Sequence, residues 1–303
     1  MADISSSKTA VAFLGLGVMG FPMAGHLHGR GHQVTVYNRT ADKAQRWADS
    51  HQGGRCAATP AAAAAAAQVV FMCVGNDNDL RSVVYGPQGA LAGLQSGTIL
   101  VDHTTASAEV ARELAQACAR QGVHFIDAPV SGGQVGAEKG QLTIMCGGDE
   151  AVFKQAEPLM MAYAKAVTLM GATGSGQLTK MVNQICIAGL LQGLAEALNF
   201  ADRAGLEVPL VLDVISKGAA QSWQMDNRGR TMAQDQFDFG FAVDWMRKDL
   251  GLVIAEGKNN GALLPMTALV DQFYAEVQGM GGGRWDTSSL IRRFRQRKAG
   301  NSS

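Results

Sequence analysis

The stretch Ala10-Val11-Ala12-Phe13-Leu14-Gly15-Leu16-Gly17-Val18-Met19-Gly20 passes from a short apolar run straight into a G-x-G-x-x-G spacing. At a strand-to-helix junction each glycine has a physical task. Gly15 permits the tight turn, Gly17 lets the backbone approach a pyrophosphate, and Gly20 lets the next helix pack on the strand. The helix start then offers free N–H groups and a partial positive charge to phosphate. Pro22 costs little in a first turn, and Met19, Met23 and Leu27 share one helix face. A second β-rich run, Val34 to Tyr37, completes the unit, so the pattern predicts a dinucleotide site built on Gly15, Leu16, Gly17, Val18, Met19 and Gly20.

The end of that second run decides which dinucleotide is expected. A carboxylate there would accept hydrogen bonds from the adenosine ribose of NAD. The chain instead reads Tyr37-Asn38-Arg39-Thr40. Arg39 can clamp a 2′-phosphate through charge-assisted bonds, with Asn38 and Thr40 adding neutral ones. NADP is therefore expected, with NAD as the alternative. A plain solvated loop arginine is the competing reading.

Working outward, short apolar runs alternate with helix-like stretches from Thr9 to about Gly148: Ala10 to Leu14, Val34 to Tyr37, Val69 to Val74, Ile99 to Asp102, His124 to Asp127 and Leu142 to Cys146. This is the pattern of an α/β sheet made of successive βαβ units. The alanine run Ala61 to Ala67, with Thr59 as N-cap and Pro60 behind it, reads as a packing helix. After Gly171 the texture changes. Gln177 to Arg203 carries helical spacing that stops at Gly205, and Leu210 to Lys217 and Asp244 to Gly257 also read helical. The expected division is an α/β domain over 1–173 and an all-α domain over 174–303, joined by the long helix.

Length and composition bound the function. A chain of 303 residues suggests two domains at roughly 150 residues each. Lys+Arg and Asp+Glu both number 26, so no net field would draw nucleic acid or an anionic membrane. The chain is too apolar, at 47% hydrophobic residues, for disorder, and no unbroken apolar run approaches the ~20 residues of a membrane span. Cys56, Cys73, Cys118, Cys146 and Cys186 form no C-x-x-C pair and read as buried, reduced thiols. Six histidines, all in the first half, show no metal-ligand spacing, so no metal is expected. The polar start Met1 to Lys8 runs directly into the first strand, which leaves no room for a leader and implies the cytosol.

Other stretches carry chemistry. Asp127-Ala128-Pro129-Val130-Ser131-Gly132-Gly133 follows a strand end, where backbone N–H groups and the Ser131 hydroxyl would cradle an anion, or form an ordinary glycine turn. Lys180 sits early in the long helix, against the dipole preference, and shares a face with Asn183. It is a functional candidate or a solvated lysine. Lys248 and Asp249 are neighbours that should not face each other on a helix, so one of them needs a partner elsewhere. His103 follows a strand end and reads more simply as structural. Arg292, Arg293, Arg295, Arg297 and Lys298 read as a solvated helix face.

Four stretches in order, Phe13 to Ala24, Asp127 to Gly133, Gly176 to Asn183 and Lys248-Asp249-Leu250, make the chain resemble the β-hydroxyacid dehydrogenase family. The resemblance covers nearly the whole chain. It implies a Rossmann domain followed by a helical domain that assembles a homodimer or homotetramer. The expected substrate is a small carboxylate-bearing hydroxy acid or semialdehyde, in a hydride-transfer reaction. Carried over by position, Lys180 is the acid/base and Asn183 its partner, and Ser131, Gly132 and Gly133 hold the substrate carboxylate. Thr105 and Lys248 meet the nicotinamide end. Cys73 and Val74 stand where many members have Leu-Pro, and would still offer backbone contacts to the cofactor. Gly218 to Trp223 departs from the pattern in the substrate region, with Trp223 expected to shape the pocket. An oxidative decarboxylase, an imine reductase and a non-catalytic cofactor-binding scaffold are the alternatives. The decarboxylases have a longer helical part, the imine reductases usually another residue at position 180, and a scaffold would lack the lysine or carry an added module.

Overall fold

A computed structural model describes residues 8–295. The chain divides into two compact units, one ending at Lys180 and the other beginning at Met181. The change falls inside a single helix, Ser175–Arg203.

In the first unit the strands are β1 (Ala10–Leu14), β2 (Gln33–Tyr37), β3 (Arg55–Cys56), β4 (Val69–Met72), β5 (Ile99–Asp102), β6 (His124–Asp127), β7 (Val130–Ser131), β8 (Leu142–Gly147) and β9 (Ala164–Gly171). They form one sheet in the order β3-β2-β1-β4-β5-β6-β8-β7, with β9 on β8. The first six strands of that order run parallel. The order reverses between β1 and β4, which opens a crevice at their carboxyl ends.

Both faces of the sheet are buried, so its central strands are apolar throughout rather than alternating. Successive side chains still point to opposite faces. Val11, Phe13, Val69, Phe71, Ile99 and Val101 pack into one core, with Met23, Leu27 and Trp47 of the covering helices. Ala12, Leu14, Val70, Met72 and Leu100 pack into the other, with Leu80 and Leu114.

The expected strands are all present, although β4 stops at Met72 and not at Val74. β9 had no counterpart among them. It is a sheet-edge strand with mixed burial, in which Lys165 and Thr168 interrupt the apolar signal. The two-residue β3 and β7 are too short to leave a pattern. The alanine helix is Pro60–Ala64, capped by the Thr59 side chain, which accepts from the Ala62 N–H at 3.1 Å. It ends early because the chain must turn into β4.

The second unit is helical: after Ser175–Arg203 come Val208–Ile215, Trp223–Ala233, Val243–Asn260 and Pro265–Gly279. Gly205 and Gly261 take φ of +71° and +78°, so the stops at the first and fourth of these helices rest on glycine's freedom. One core joins Leu191, Leu194 and Leu198 to Met246, Leu250, Val270 and Tyr274. The 29-residue helix has a mean hydropathy of 1.3 over 18 residues, enough by length and composition to cross a bilayer. A search for unbroken apolar runs misses this because glycines and amides interrupt it. The described protein buries 44% of that window.

Two expectations are corrected here. Arg292, Arg293 and Arg295 are not a solvated face: Arg292 and Arg295 pair with Asp235, and Arg293 pairs with Glu276 while lying over Phe273 at 3.5 Å. The planar guanidinium has found both carboxylates and rings, which zero net charge could not foretell. Arg297 and Lys298, like the chain up to Ser7, lie outside the described residues. All five cysteines are free as expected, but only Cys118 and Cys146 are buried, whereas Cys56 and Cys186 are exposed.

Candidate active site

The glycine turn lies at the point where strand order reverses. Gly15 takes φ +97°, its N–H donates to the Tyr37 carbonyl at 2.8 Å, and a Cβ there would overlap the Cys73 carbonyl oxygen. A Cβ at Gly20 would overlap the Gly15 carbonyl oxygen and press on Phe13. Gly17 differs from both, because a Cβ there meets no atom within 4 Å. Packing therefore explains two of the glycines and not the third, whose bareness keeps open the space a pyrophosphate would need. Met19 offers no side-chain cap to the helix Gly20–Gly29, so the helix start keeps donors for an anion. These residues fit a dinucleotide.

Asn38 is built into this turn. Its Oδ1 accepts the Leu16 N–H at 2.9 Å and its Nδ2 donates to the Thr40 carbonyl at 3.0 Å. Arg39 is 84% exposed and its Nη1 lies 3.0 Å from Asp79 Oδ1. Thr40 precedes the helix Ala41–Ser50 without capping it through its side chain. Val18 is exposed beside the turn, and Leu16 is buried under it.

At the neighbouring strand ends the N–H groups of Cys73 and Val74 are already used, donating to the Leu14 carbonyl at 2.9 Å and to Thr104 Oγ1 at 3.0 Å. Thr104 donates its own N–H to Asp102 Oδ1 at 2.9 Å, and the half-buried Thr105 follows. His103 is buried, with Nδ1 2.7 Å from the Ala128 carbonyl and Nε2 2.9 Å from the Tyr163 hydroxyl. A carbonyl only accepts, so Nδ1 carries the proton and Nε2 accepts from Tyr163. Burial pulls this imidazole down to about 4, which keeps it neutral, and it stacks on Phe71. His103 is a packing strut, as its sequence context suggested.

Asp102 and Asp127 end adjacent strands and are register partners, both fully buried. Asp127 Oδ1 accepts the Gly174 N–H at 2.7 Å and Oδ2 accepts the Gln177 N–H at 2.9 Å. A carboxylate from the sheet thus caps the helix Ser175–Arg203 in place of a residue of its own chain segment. Gly147 and Gly176 make the approach feasible, since a Cβ at either would press on Asp127. Desolvation raises the Asp127 pKa, opposed by the backbone N–H bonds. The Gln177 side chain then reaches the β5 loop: Oε1 accepts the Ala106 N–H at 3.0 Å and Nε2 donates to the Thr104 carbonyl at 2.7 Å. One turn along, Lys180 is only 7% exposed. A solvated lysine is excluded. The work of Asp127 and Gln177 is not legible in the sequence, because their bonds span 47 to 73 residues.

Val130 and Ser131 form β7, and Gly132 and Gly133 take φ of +128° and +61°. This is a bend other residues enter only with strain. Gly132 lies over Leu142, while Gly133 faces open space.

The second unit holds its own chain of contacts. Asn183 Nδ2 donates to Gln184 Oε1 at 2.8 Å, and Gln184 Nε2 donates to Asp249 Oδ2 at 2.7 Å. Lys248 Nζ lies 3.1 Å from Asp249 Oδ1, without the alignment of a hydrogen bond. The expectation that these neighbours cannot meet is corrected: a four-carbon stem folds back far enough. Asp249 also has the distant partner that was expected, Gln184. Trp223 is exposed and stacks on Arg228, whose guanidinium lies 5.0 Å from both the Trp223 and Phe239 rings. Among the described residues no three His, Cys, Asp or Glu gather as a metal would require.

Residues 10–171 match the NAD-binding domain of 6-phosphogluconate dehydrogenase, and residues 174–294 match the NAD-binding family of NADP-dependent 3-hydroxyisobutyrate dehydrogenase. An uncharacterized oxidoreductase of Shewanella frigidimarina is 61% identical over 95% of this chain and 99% of its own length. An Arabidopsis thaliana protein named "Probable 3-hydroxyisobutyrate dehydrogenase-like 1, mitochondrial" is 43% identical over 95% of this chain and 86% of its own. Among solved structures, Mycobacterium tuberculosis 3-hydroxyisobutyrate dehydrogenase with L-serine has 31% identity and a TM-score of 0.87, covering 95% of this chain and 100% of that one.

Proposed function

Because the chain belongs to the β-hydroxyacid dehydrogenase family of NAD(P)-dependent oxidoreductases, we propose that it interconverts a small β-hydroxy acid and its semialdehyde or keto form, with Lys180 as general acid/base. The observation that carries this reading is a buried lysine one turn beyond the Asp127 anchor, on a helix start tied to the same carboxyl edge of the sheet as the glycine turn.

A bound nicotinamide supplies the hydride acceptor or donor. In oxidation the Lys180 amine takes the hydroxyl proton as the C–H bond gives up its hydride, and in reduction the ammonium returns a proton to the forming alkoxide. Asn183, three residues on, positions the substrate oxygen or the amine. Ser131, Gly132 and Gly133 hold the substrate carboxylate, which orients the reacting carbon, and Trp223 shapes the pocket. Gly15 to Gly20 cradle the pyrophosphate, with Cys73 and Val74 beside them, and Thr105 and Lys248 meet the nicotinamide end. We assign NADP as the preferred cofactor, with Asn38, Arg39 and Thr40 at the 2′-phosphate. The exposed guanidinium and the absence of a carboxylate after β2 support this. L-serine, held by the M. tuberculosis relative, is itself a β-hydroxy acid, which supports the substrate class. Exposed Phe200, Leu206, Leu210 and Val214 support a homodimer or homotetramer.

The test is a panel of small hydroxy acids and semialdehydes with both cofactors, read by nicotinamide absorbance, on wild type and Lys180→Ala. Turnover is expected on at least one β-hydroxy acid, and the variant should lose about a thousandfold in kcat while binding cofactor within threefold. A variant within tenfold of wild-type kcat defeats the assignment.

A further inference from the structure

We propose that Gln177 is a positioning residue for this reaction, the side chain that sets where the Lys180 amine stands relative to the Thr104-Thr105-Ala106 segment. The inference rests on the acid/base reading of Lys180 and extends it to a residue that does none of the chemistry itself.

Gln177 is fully buried, and both ends of its amide are used. Oε1 accepts from Ala106 N–H at 3.0 Å and Nε2 donates to the Thr104 carbonyl at 2.7 Å. Those two backbone groups flank Thr105, so the amide grips the chain on either side of it, much as a strand would. Meanwhile its own N–H is held by Asp127 Oδ2 at 2.9 Å, which stops the first turn of the helix from sliding. Lys180 follows at i+3, the spacing that puts two side chains on one helix face. The rest of the loop is fixed from other sides: Thr104 Oγ1 accepts the Val74 N–H and the Thr104 N–H goes to Asp102. The loop after β5 and the helix of Lys180 are thereby registered to each other through one amide. A misplacement of about 1 Å at a reacting centre can cost on the order of a hundredfold in rate.

The test compares Gln177→Leu, Gln177→Glu and Lys180→Ala with wild type. It measures kcat, KM, reduced-cofactor affinity by nicotinamide fluorescence, and thermal midpoint. Leucine fills the space but leaves Ala106 N–H and the Thr104 carbonyl unpaired. Its kcat should fall roughly 30- to 100-fold with KM and cofactor affinity within threefold. Glutamate mimics the amide only when protonated, since ionised it cannot donate to Thr104. Its kcat relative to wild type should therefore rise as pH falls from 8 to 5. A leucine variant with kcat within threefold of wild type, or one whose loss lies wholly in KM, overturns the proposal. Should the leucine variant fail to fold, the glutamate profile decides: a pH-independent ratio overturns it. Full activity in Lys180→Ala would instead reject the acid/base reading, so the two failures are separable.

Discussion

The Asp127 carboxylate accepts the Gln177 backbone N–H at 2.9 Å across fifty residues of sequence. It brings a negative charge from the end of β6 to the positive end of a 29-residue helix. The β-sheet and the buried Lys180 are thus connected through an anion and a helix terminus.

Replacing that carboxylate with an amide should loosen the helix start. Asp127→Asn turns one acceptor toward a backbone N–H as a donor, leaving either Gly174 or Gln177 unpaired in a buried place. The expected loss is about 1–3 kcal/mol, read from the first denaturant transition. Unchanged stability would mean the cap is incidental.

The three glycines of the turn should separate into folding and binding roles. Gly20→Ala collides with the Gly15 carbonyl and should lower the thermal midpoint without any cofactor present. Gly17→Ala meets open space, so its cofactor-free midpoint should match wild type while the cofactor Kd rises at least tenfold. Equal thermal losses for the two would refute the distinction.

Arg39 gives the cofactor preference a direct test. Because its pair with Asp79 is exposed, removing it should cost little stability. Arg39→Ser should lower kcat/KM for NADP by roughly ten- to hundredfold, the worth of one charge-assisted bond, and leave NAD nearly unaffected. A parallel fall with both cofactors would remove Arg39 from the 2′-phosphate.

Asp102 should make stability depend on pH in an unusual direction. Burial, with the nearby charges of Asp127 and Asp77, raises it to about 7 against Thr104's hydrogen bonds. Between its ordinary value of 3.8 and about 7 the folded chain keeps a proton that the unfolded chain has lost, so this group weakens the fold as pH rises through that window. Asp102→Asn removes the proton and keeps the shape. Its advantage over wild type should be small near pH 4 and grow to on the order of 4 kcal/mol by pH 8. His103, held near 4, contributes the opposite trend below its ordinary 6.5 in both proteins and cancels in the comparison. A difference that stays flat with pH would show that Asp102 ionises normally.

Much of this protein is legible in its sequence because the signals are local. The run Ala10 to Leu14 followed by Gly15, Gly17 and Gly20 already encodes a turn, an approach and a packing contact, and the structure supplies the reasons for Gly15 and Gly20. Gly205 announces a helix end by the same logic. β9 escaped notice because an edge strand exposes part of its length, and its periodicity is diluted by Lys165 and Thr168. The guanidinium pairs of Arg292 and Arg293, and the fold-back of Lys248 onto Asp249, depend on neighbours or stem lengths that spacing does not encode.

Sequence by itself determined the alternation of the main strands and helices, the glycine turn and the helical second half, since each follows from residues within a few positions of one another. Tertiary structure alone decided that Asp127 caps the lysine's helix and that the Gln177 amide clasps the backbone around Thr105. Those roles arise from burial and from hydrogen bonds between residues 47 to 73 positions apart. In a closed interior each polar group must find a partner, and which one it finds is settled only when the strands have been laid side by side.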